Sequence, residues 1–353
     1  MRRPALRQPR LAQALLRFHV RIAVLSAAIC AAAAVIVGLA VAQSAPIGTG
    51  VVVIDTNLAL QGGSAAGTGM VLSSSGEILT NNHVIRSAVS IEVVVPGTSH
   101  SYAAKVVGYD VSGDVAVLQA IRASHLKAIA TDSSSRLKVG QSVTAVGNAG
   151  GTGWLTSATG AVTRLNRSFT VGDDQGGSES LAGLVETNAP LQPGDSGGPL
   201  LDAAGKAIAM DTAGSVSYGF SAGASFPAYA IPINEALAIA KQIESGNGPS
   251  AVHIGSTAFL GVAVMSTLHS APDGAAASGA TIAEVTRSGP AAAAGLVAGD
   301  TITAIGGRVV STPNALGAVI LSKKPDVRVS VKYIDQSGFR HTTTVRLASG
   351  PPQ

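Results

Sequence analysis

Gly194-Asp195-Ser196-Gly197-Gly198-Pro199 carries the sharpest chemical signal in the chain. A serine hydroxyl that attacks a carbonyl needs backbone N–H groups converging on the developing oxyanion. That demands a tight loop in which side chains would collide. Glycines on both sides of Ser196 meet the demand, and the N–H groups of Gly194 and Ser196 are the expected oxyanion-hole donors. An ordinary glycine-rich turn accounts for a few of these residues in a chain with 42 glycines, but not readily for the whole hexapeptide.

Serine alone is a weak nucleophile, so this reading requires a base and an orienting acid elsewhere in the chain. Upstream, His83 stands in Leu79-Thr80-Asn81-Asn82-His83-Val84-Ile85, at the end of a strand-like run that follows a Ser-Gly turn. His100 and His125 lie in polar, loop-like stretches, and His253, His269 and His341 fall in a later unit. Asp114 follows Ser112-Gly113 and precedes Val115-Ala116-Val117-Leu118, at the mouth of a buried strand. Asp110 is its rival, since either aspartate suits the cap of that turn. The chain order His, Asp, Ser agrees with one of three unrelated serine protease orders and excludes the other two.

Around these residues, short apolar runs recur between Gly, Ser and Asn clusters: Val51 to Ile54, Gly69 to Leu72, Ile78 to Thr80, Ile91 to Val95, Val115 to Leu118, Val143 to Val146 and Ala207 to Met210. With no helical pattern between them, they predict antiparallel barrels or a sandwich. Ile233, Ala236, Leu237, Ala240 and Ile243 share one helical face, with Pro232 before them and Gly246 after. Gly246, Gly248, Pro249 and Ser250 read as a linker. The unit beyond it is α+β, with strands at Ile282 to Val285, Asp300 to Ile302, Val327 to Tyr333 and Thr342 to Leu347 and a helix over Pro313 to Leu321. Gly147 to Gly153 lacks the strand, helix and downstream acid of a dinucleotide loop and reads as a turn, with 167–180 as a loop beside the site.

The chain holds 24 Lys plus Arg against 20 Asp plus Glu, yet six of the cations lie before residue 22, leaving 18 against 20 in the remainder. A basic nucleic-acid surface is therefore not supported. The arginines flank the apolar run Ile22 to Ala42, which is long enough to span a bilayer and ends in the small-x-small form Ala40-Val41-Ala42. Residues 1–42 are thus expected to be a signal peptide or an N-terminal membrane anchor, and the protein to be exported. The one cysteine, Cys30, lies in that run, so the exported part must be stabilised by packing and not by disulfides.

Thr80-Asn81-Asn82-His83-Val84-Ile85, Gly113-Asp114-Val115-Ala116-Val117-Leu118 and Gly194 to Leu200 together resemble the HtrA (Deg) branch of trypsin-like serine proteases. Within it the look-alike is the secreted mycobacterial PepA-type subgroup. The likeness covers most of residues 50 to 348. It implies an all-β double β-barrel protease domain over 47–245, a linker over 246–255 and a small α+β PDZ domain over 256–348. It also favours Asp114 over Asp110. A serine endopeptidase acting through His83, Asp114 and Ser196 is implied, with no metal and no organic cofactor. Leu191 would help line the primary specificity pocket, with Ala213, Gly214 and Ser215 on the strand that pairs with substrate, suited to small or medium aliphatic side chains. Phe259-Leu260-Gly261-Val262 resembles a PDZ carboxylate-binding loop. The implied partners are unfolded or exported proteins, peptide C-termini at the PDZ domain and further copies in a homotrimer, all in the cell envelope or outside it.

In one respect the chain departs from the family. Many HtrA members have asparagine before the nucleophile, where this chain has Asp195. The rival readings are a catalytically silent envelope chaperone or peptide-binding scaffold, and an acyl hydrolase of another fold, against which the absence of alternating helices argues.

Overall fold

The computed structural model describes residues 47–58, 63–172, 178–214, 227–246, 252–270 and 276–352. The expected signal or anchor at 1–42 lies outside the described residues, among which no helix is long and apolar enough to cross a membrane.

The first barrel comprises β1 (Val51–Leu58), β2 (Gly63–Val71), β3 (Glu77–Thr80), the one-turn helix α1 (Asn82–Ile85), β4 (Ser90–Val94), β5 (Ser101–Asp110) and β6 (Val115–Ala120). The strands pair in the order β5-β4-β1-β2-β3-β6, and β6 returns to β5 to close the ring. Successive side chains of a strand point to opposite faces. Val52, Ile54, Ile78, Ala116 and Leu118 accordingly fill the barrel, while Val51, Leu79, Val115 and Val117 leave it for a second cluster between the barrels. Both faces are buried, which explains why these runs read as continuously apolar and not as alternating.

The second barrel comprises β7 (Ser142–Gly147), β8 (Thr156–Gly172), β9 (Ser178–Thr187), β10 (Pro199–Leu201), β11 (Ala207–Gly214) and β12 (Ala228–Pro232). It is closed in the order β10-β11-β12-β9-β8-β7. Val143, Ala145, Val162, Val185, Leu200 and Ile208 fill it, and Val146, Leu184, Met210 and Ile231 face the other barrel. Helix α2 (Ile233–Ser245) buries Ile233, Ala236, Ala240 and Ile243 in the same inter-barrel cluster, the face expected from its spacing.

Two expectations need correction. Most of 167–180 is strand, because β8 and β9 run on as a hairpin through Phe169↔Leu181 and Thr170↔Ser180. Its polar residues hid it, since a ladder of backbone hydrogen bonds needs few apolar side chains, and here Phe169 and Leu181 pack against the inter-barrel cluster. The stretch 246–255 is also more than a linker: β13 (Val252–Ile254) adds to the first barrel along β5, with Val252 opposite Asp110.

The C-terminal unit follows with β14 (Thr257–Phe259), β15 (Val262–Ser270), β16 (Ala276–Val285), the short helix α3 (Pro290–Ala293), β17 (Thr301–Ile305), β18 (Arg308–Val309), α4 (Pro313–Leu321), β19 (Arg328–Ile334), β20 (Arg340–Arg346) and β21 (Ala348–Gly350). Its sheet runs β15-β16-β17-β19-β20, with β15 at an edge and β18 on β17. Leu260, Ile282, Leu296, Ile302, Leu316, Val331 and Val345 form its own core. Thr312 caps α4 by accepting from the Ala315 N–H at 3.2 Å, and Pro313 occupies the first turn, where its missing N–H costs nothing. The unit is held to the first barrel by the buried Tyr109 hydroxyl, 3.1 Å from Thr257 Oγ1, and by the Ser87 N–H, which donates to the Pro352 carbonyl at 2.8 Å.

Candidate active site

His83 sits on α1 immediately after β3, where Asn81 precedes the helical turn. Its Nδ1 lies 2.9 Å from Asp114 Oδ2 and 3.1 Å from Oδ1, and its backbone N–H donates to Oδ1 at 3.0 Å. Asp114 is buried at the start of β6 with a positive φ of 50°. The Asn81 side-chain amide donates to the Asp114 carbonyl at 2.9 Å, which helps fix that unusual backbone. The Thr212 hydroxyl, from β11 of the second barrel, donates to Asp114 Oδ2. The carboxylate is thus fastened from both barrels, and it holds the imidazole with Nδ1 as donor. The His83 side chain is 36% exposed, open to a substrate.

Asp110 does something else. It accepts from the Ser112 hydroxyl at 2.6 Å and the Gly113 N–H at 3.1 Å, and so caps the turn that delivers Asp114.

Ser196 lies in the loop between β9 and β10, and its hydroxyl donates to the Thr212 carbonyl at 3.1 Å. Thr212 therefore touches both the acid and the nucleophile. Gly194 has φ +100°, and a Cβ there would stand 2.1 Å from the Asn148 carbonyl oxygen, so only glycine fits. The Asp195, Gly197 and Gly198 N–H groups are taken by Gln192, Asp211 and Asp195 carbonyls. Among the described residues the N–H groups of Gly194 and Ser196 have no such partner. Two adjacent unsatisfied donors beside a serine hydroxyl are what an oxyanion requires.

The loop is also tied to the first barrel. Thr68 on β2 donates from its hydroxyl to the Gly194 carbonyl at 2.7 Å and from its N–H to the Ser196 carbonyl at 2.9 Å, and its hydroxyl accepts from the Asn148 N–H at 2.9 Å. The glycine-rich turn at 147–153 supports the same loop through Gly150, whose N–H donates to the Pro193 carbonyl at 2.7 Å. Thr68, Thr212 and this turn were not singled out as site residues from the sequence. Each acts through a partner over 40 residues away, and no local pattern records that.

The trypsin-like peptidase domain matches residues 67–210, and the PDZ domain matches residues 258–344. The Serine protease Do-like HtrA of Lactococcus lactis is 30% identical over 294 residues, covering 81% of this chain and 71% of that protein. The chain belongs to the HtrA family of trypsin-like serine proteases. The Serine protease PepD of Mycobacterium tuberculosis is 32% identical over 309 residues, covering 84% of this chain and 63% of that protein. The chain spans about six-tenths of the length of PepD and of several other curated relatives it matches. A solved structure, HtrA-type protease AlgW with tripeptide, is 29% identical and covers 87% of this chain and 95% of that one, with a TM-score of 0.48.

Other residues expected from the HtrA likeness are placed as follows. Leu191 is half-buried and packs against the core of the second barrel. Ala213 and Gly214 end β11, opposite Tyr229 and Ala228 of β12. Ser215 lies outside the described residues. In the PDZ unit, Phe259 ends β14, Leu260 is buried and Gly261 has φ +81° before β15 begins at Val262. The Leu260 carbonyl accepts from the Ala291 N–H and the Gly261 carbonyl from the Thr286 N–H, both at 2.9 Å. With the carbonyls tied inward, the Leu260 and Gly261 N–H groups find no partner among the described residues.

Asp195, the departure from the commoner HtrA asparagine, is buried, with Oδ2 accepting from the Gln192 N–H at 2.8 Å and Oδ1 without a hydrogen-bond partner. Burial raises its pKa, and the Gln192 N–H partly opposes the rise.

Proposed function

We propose that the chain is a serine endopeptidase that cleaves exported or misfolded proteins through an acyl-enzyme on Ser196. The observation that carries this reading is the Asp114 carboxylate held on His83 Nδ1 at 2.9 Å by donors from both barrels. In this mechanism the Ser196 proton passes to His83 Nε2 as the oxygen attacks a peptide carbonyl. Asp114 stabilises the imidazolium, and the N–H groups of Gly194 and Ser196 receive the oxyanion. His83 then protonates the leaving amine, and water releases the acyl group. The chemistry uses neither a metal nor an organic cofactor.

Leu191, Ala213, Gly214 and Ser215 are proposed to contact substrate around the scissile bond, and residues 259–262 to hold a peptide C-terminus while the peptide extends the open edge of β15. The domain limits proposed are 47–245, 246–255 and 256–348. The names of several relatives as periplasmic proteases support an extracytoplasmic location, with residues 1–42 as signal peptide or anchor. The mycobacterial PepD supports placement near the secreted PepA-type subgroup, and a homotrimer is proposed from the HtrA likeness.

A fluorophosphonate probe with a casein digest tests the proposal. Wild type is expected to label and to release casein fragments, and Ser196→Ala to lose both while keeping its melting temperature. A folded wild-type protein that never labels would make the chain a peptide-binding scaffold instead. Turnover of small esters without casein cleavage would make it an acyl hydrolase.

A further inference from the structure

Asp211 has no contact with water and no hydrogen-bond partner on either carboxylate oxygen, and Asp195 Oδ1 adds a third oxygen in the same condition. Burying unpaired carboxylates costs several kcal/mol, so their presence asks for a neutralising charge. The surroundings supply none. Ala230 on β12 lies opposite Asp211, the Gly198 carbonyl accepts from its backbone N–H, and Gly147 on β7 makes room for the Asp195 carboxyl, which would be 2.6 Å from a Cβ there. Of the groups presented by these elements, Asp195 is the titratable one that reaches Asp211. His83 and Asp114 are engaged instead through the next side chain, Thr212. The internal stretches outside the described residues contain no Lys, Arg or His.

We infer that Asp195 and Asp211 act as a coupled acid pair that holds one proton, and that losing this proton at alkaline pH disturbs the Gly194–Ser196 oxyanion site and lowers activity. Asp195 takes the negative charge, because the Gln192 N–H supports it, and Asp211, with no donor, keeps the proton. Burial, and then the charge of Asp195, push the Asp211 carboxyl well above its ordinary range. The link to the site is short. The Asp211 carbonyl accepts from the Gly197 N–H, and its N–H donates to the Gly198 carbonyl, each at 2.8 Å, so the residue that carries the carboxyl is bonded directly to the two residues after the nucleophile. A second negative charge there strains these bonds and the Thr212 contacts beside them. Asp211 is thus a positioning residue. The inference rests on the serine-peptidase reading.

The test is the pH profile of kcat/KM for the full chain and for Asp211→Asn and Asp195→Asn, which remove a charge at constant volume. Every active form is expected to gain activity as His83 loses its proton. Wild type is expected to fall again on the alkaline side, while Asp211→Asn raises the ratio of activity at about pH 9.5 to that at about pH 7 by about tenfold. An active Asp211→Asn with the wild-type alkaline limb, or a wild type without such a limb, overturns the inference.

Thermal unfolding separates this failure from failure of the peptidase reading. A carboxyl with a raised folded-state pKa contributes stability that is full below the ordinary carboxylate range and is lost as pH rises through the raised value. The melting temperature of Asp211→Asn relative to wild type must therefore climb with pH, even in a protein that never labels with fluorophosphonate. A pH-independent difference overturns the pair in either case.

Discussion

The two barrels hold their halves of the site in opposite ways. On the first barrel, both oxygens of Asp114 are engaged, by the His83 ring and backbone and by Thr212, and Asn81 braces its backbone. On the second, the nucleophile loop rests on buried carboxyls with three unpartnered oxygens, and its register comes from backbone hydrogen bonds and from Thr68. The first arrangement is saturated with donors. The second is poised, because a single proton decides whether its foundation carries one negative charge or two. The base and its acid are thus fixed by satisfied contacts, while the oxyanion loop is bonded to a residue whose buried carboxyl lacks them.

Three substitutions sharpen that contrast. Asp114→Asn keeps the volume but offers the imidazole the wrong hydrogen-bond polarity, and kcat should fall by about 10⁴-fold with labelling by fluorophosphonate slowed in parallel. Thr212→Val removes the hydroxyl that reaches from the second barrel to the acid, leaving Asp114 Oδ2 short of a donor. One charge-assisted hydrogen bond is worth about 1.5 kcal/mol, so a loss of about tenfold in kcat with little change in KM is expected. A loss as deep as that of Asp114→Asn would mean that Thr212 is part of the proton-transfer machinery and not its support. Asp110→Asn weakens only the turn, so kcat/KM should stay within about twofold of wild type and stability should drop by about 1 kcal/mol in a urea titration. A large loss of activity there would undo the division of labour between the two aspartates.

Much of this site was legible in the residues because its chemistry is local at each point. The Gly194 to Pro199 loop announces an oxyanion site through the glycines it needs, and Val115 to Leu118 announces a buried strand with an aspartate at its mouth. Asp114 was favoured over Asp110 at that level, though both suit a turn, and the positions of Ser112, Gly113 and His83 give each its own role. The β8–β9 hairpin was hidden for a different reason: its outer part is built on backbone pairing, with the Arg164 and Arg167 guanidinium groups on Glu186 at its base.

The sequence by itself determined the nucleophile loop, the His-Asp-Ser order, the β-rich two-unit plan and the helix faces, because each is read from local motifs and from their order along the chain. The tertiary structure decided what meets across distance. Thr68 and Thr212 reach into the opposite barrel's half of the site, β13 joins the first barrel, and Asp211 bonds through its backbone to Gly197 and Gly198. A side chain's pattern along the chain reports which face it occupies, whereas its partners, and whether a buried charge has any, exist only once the barrels have closed.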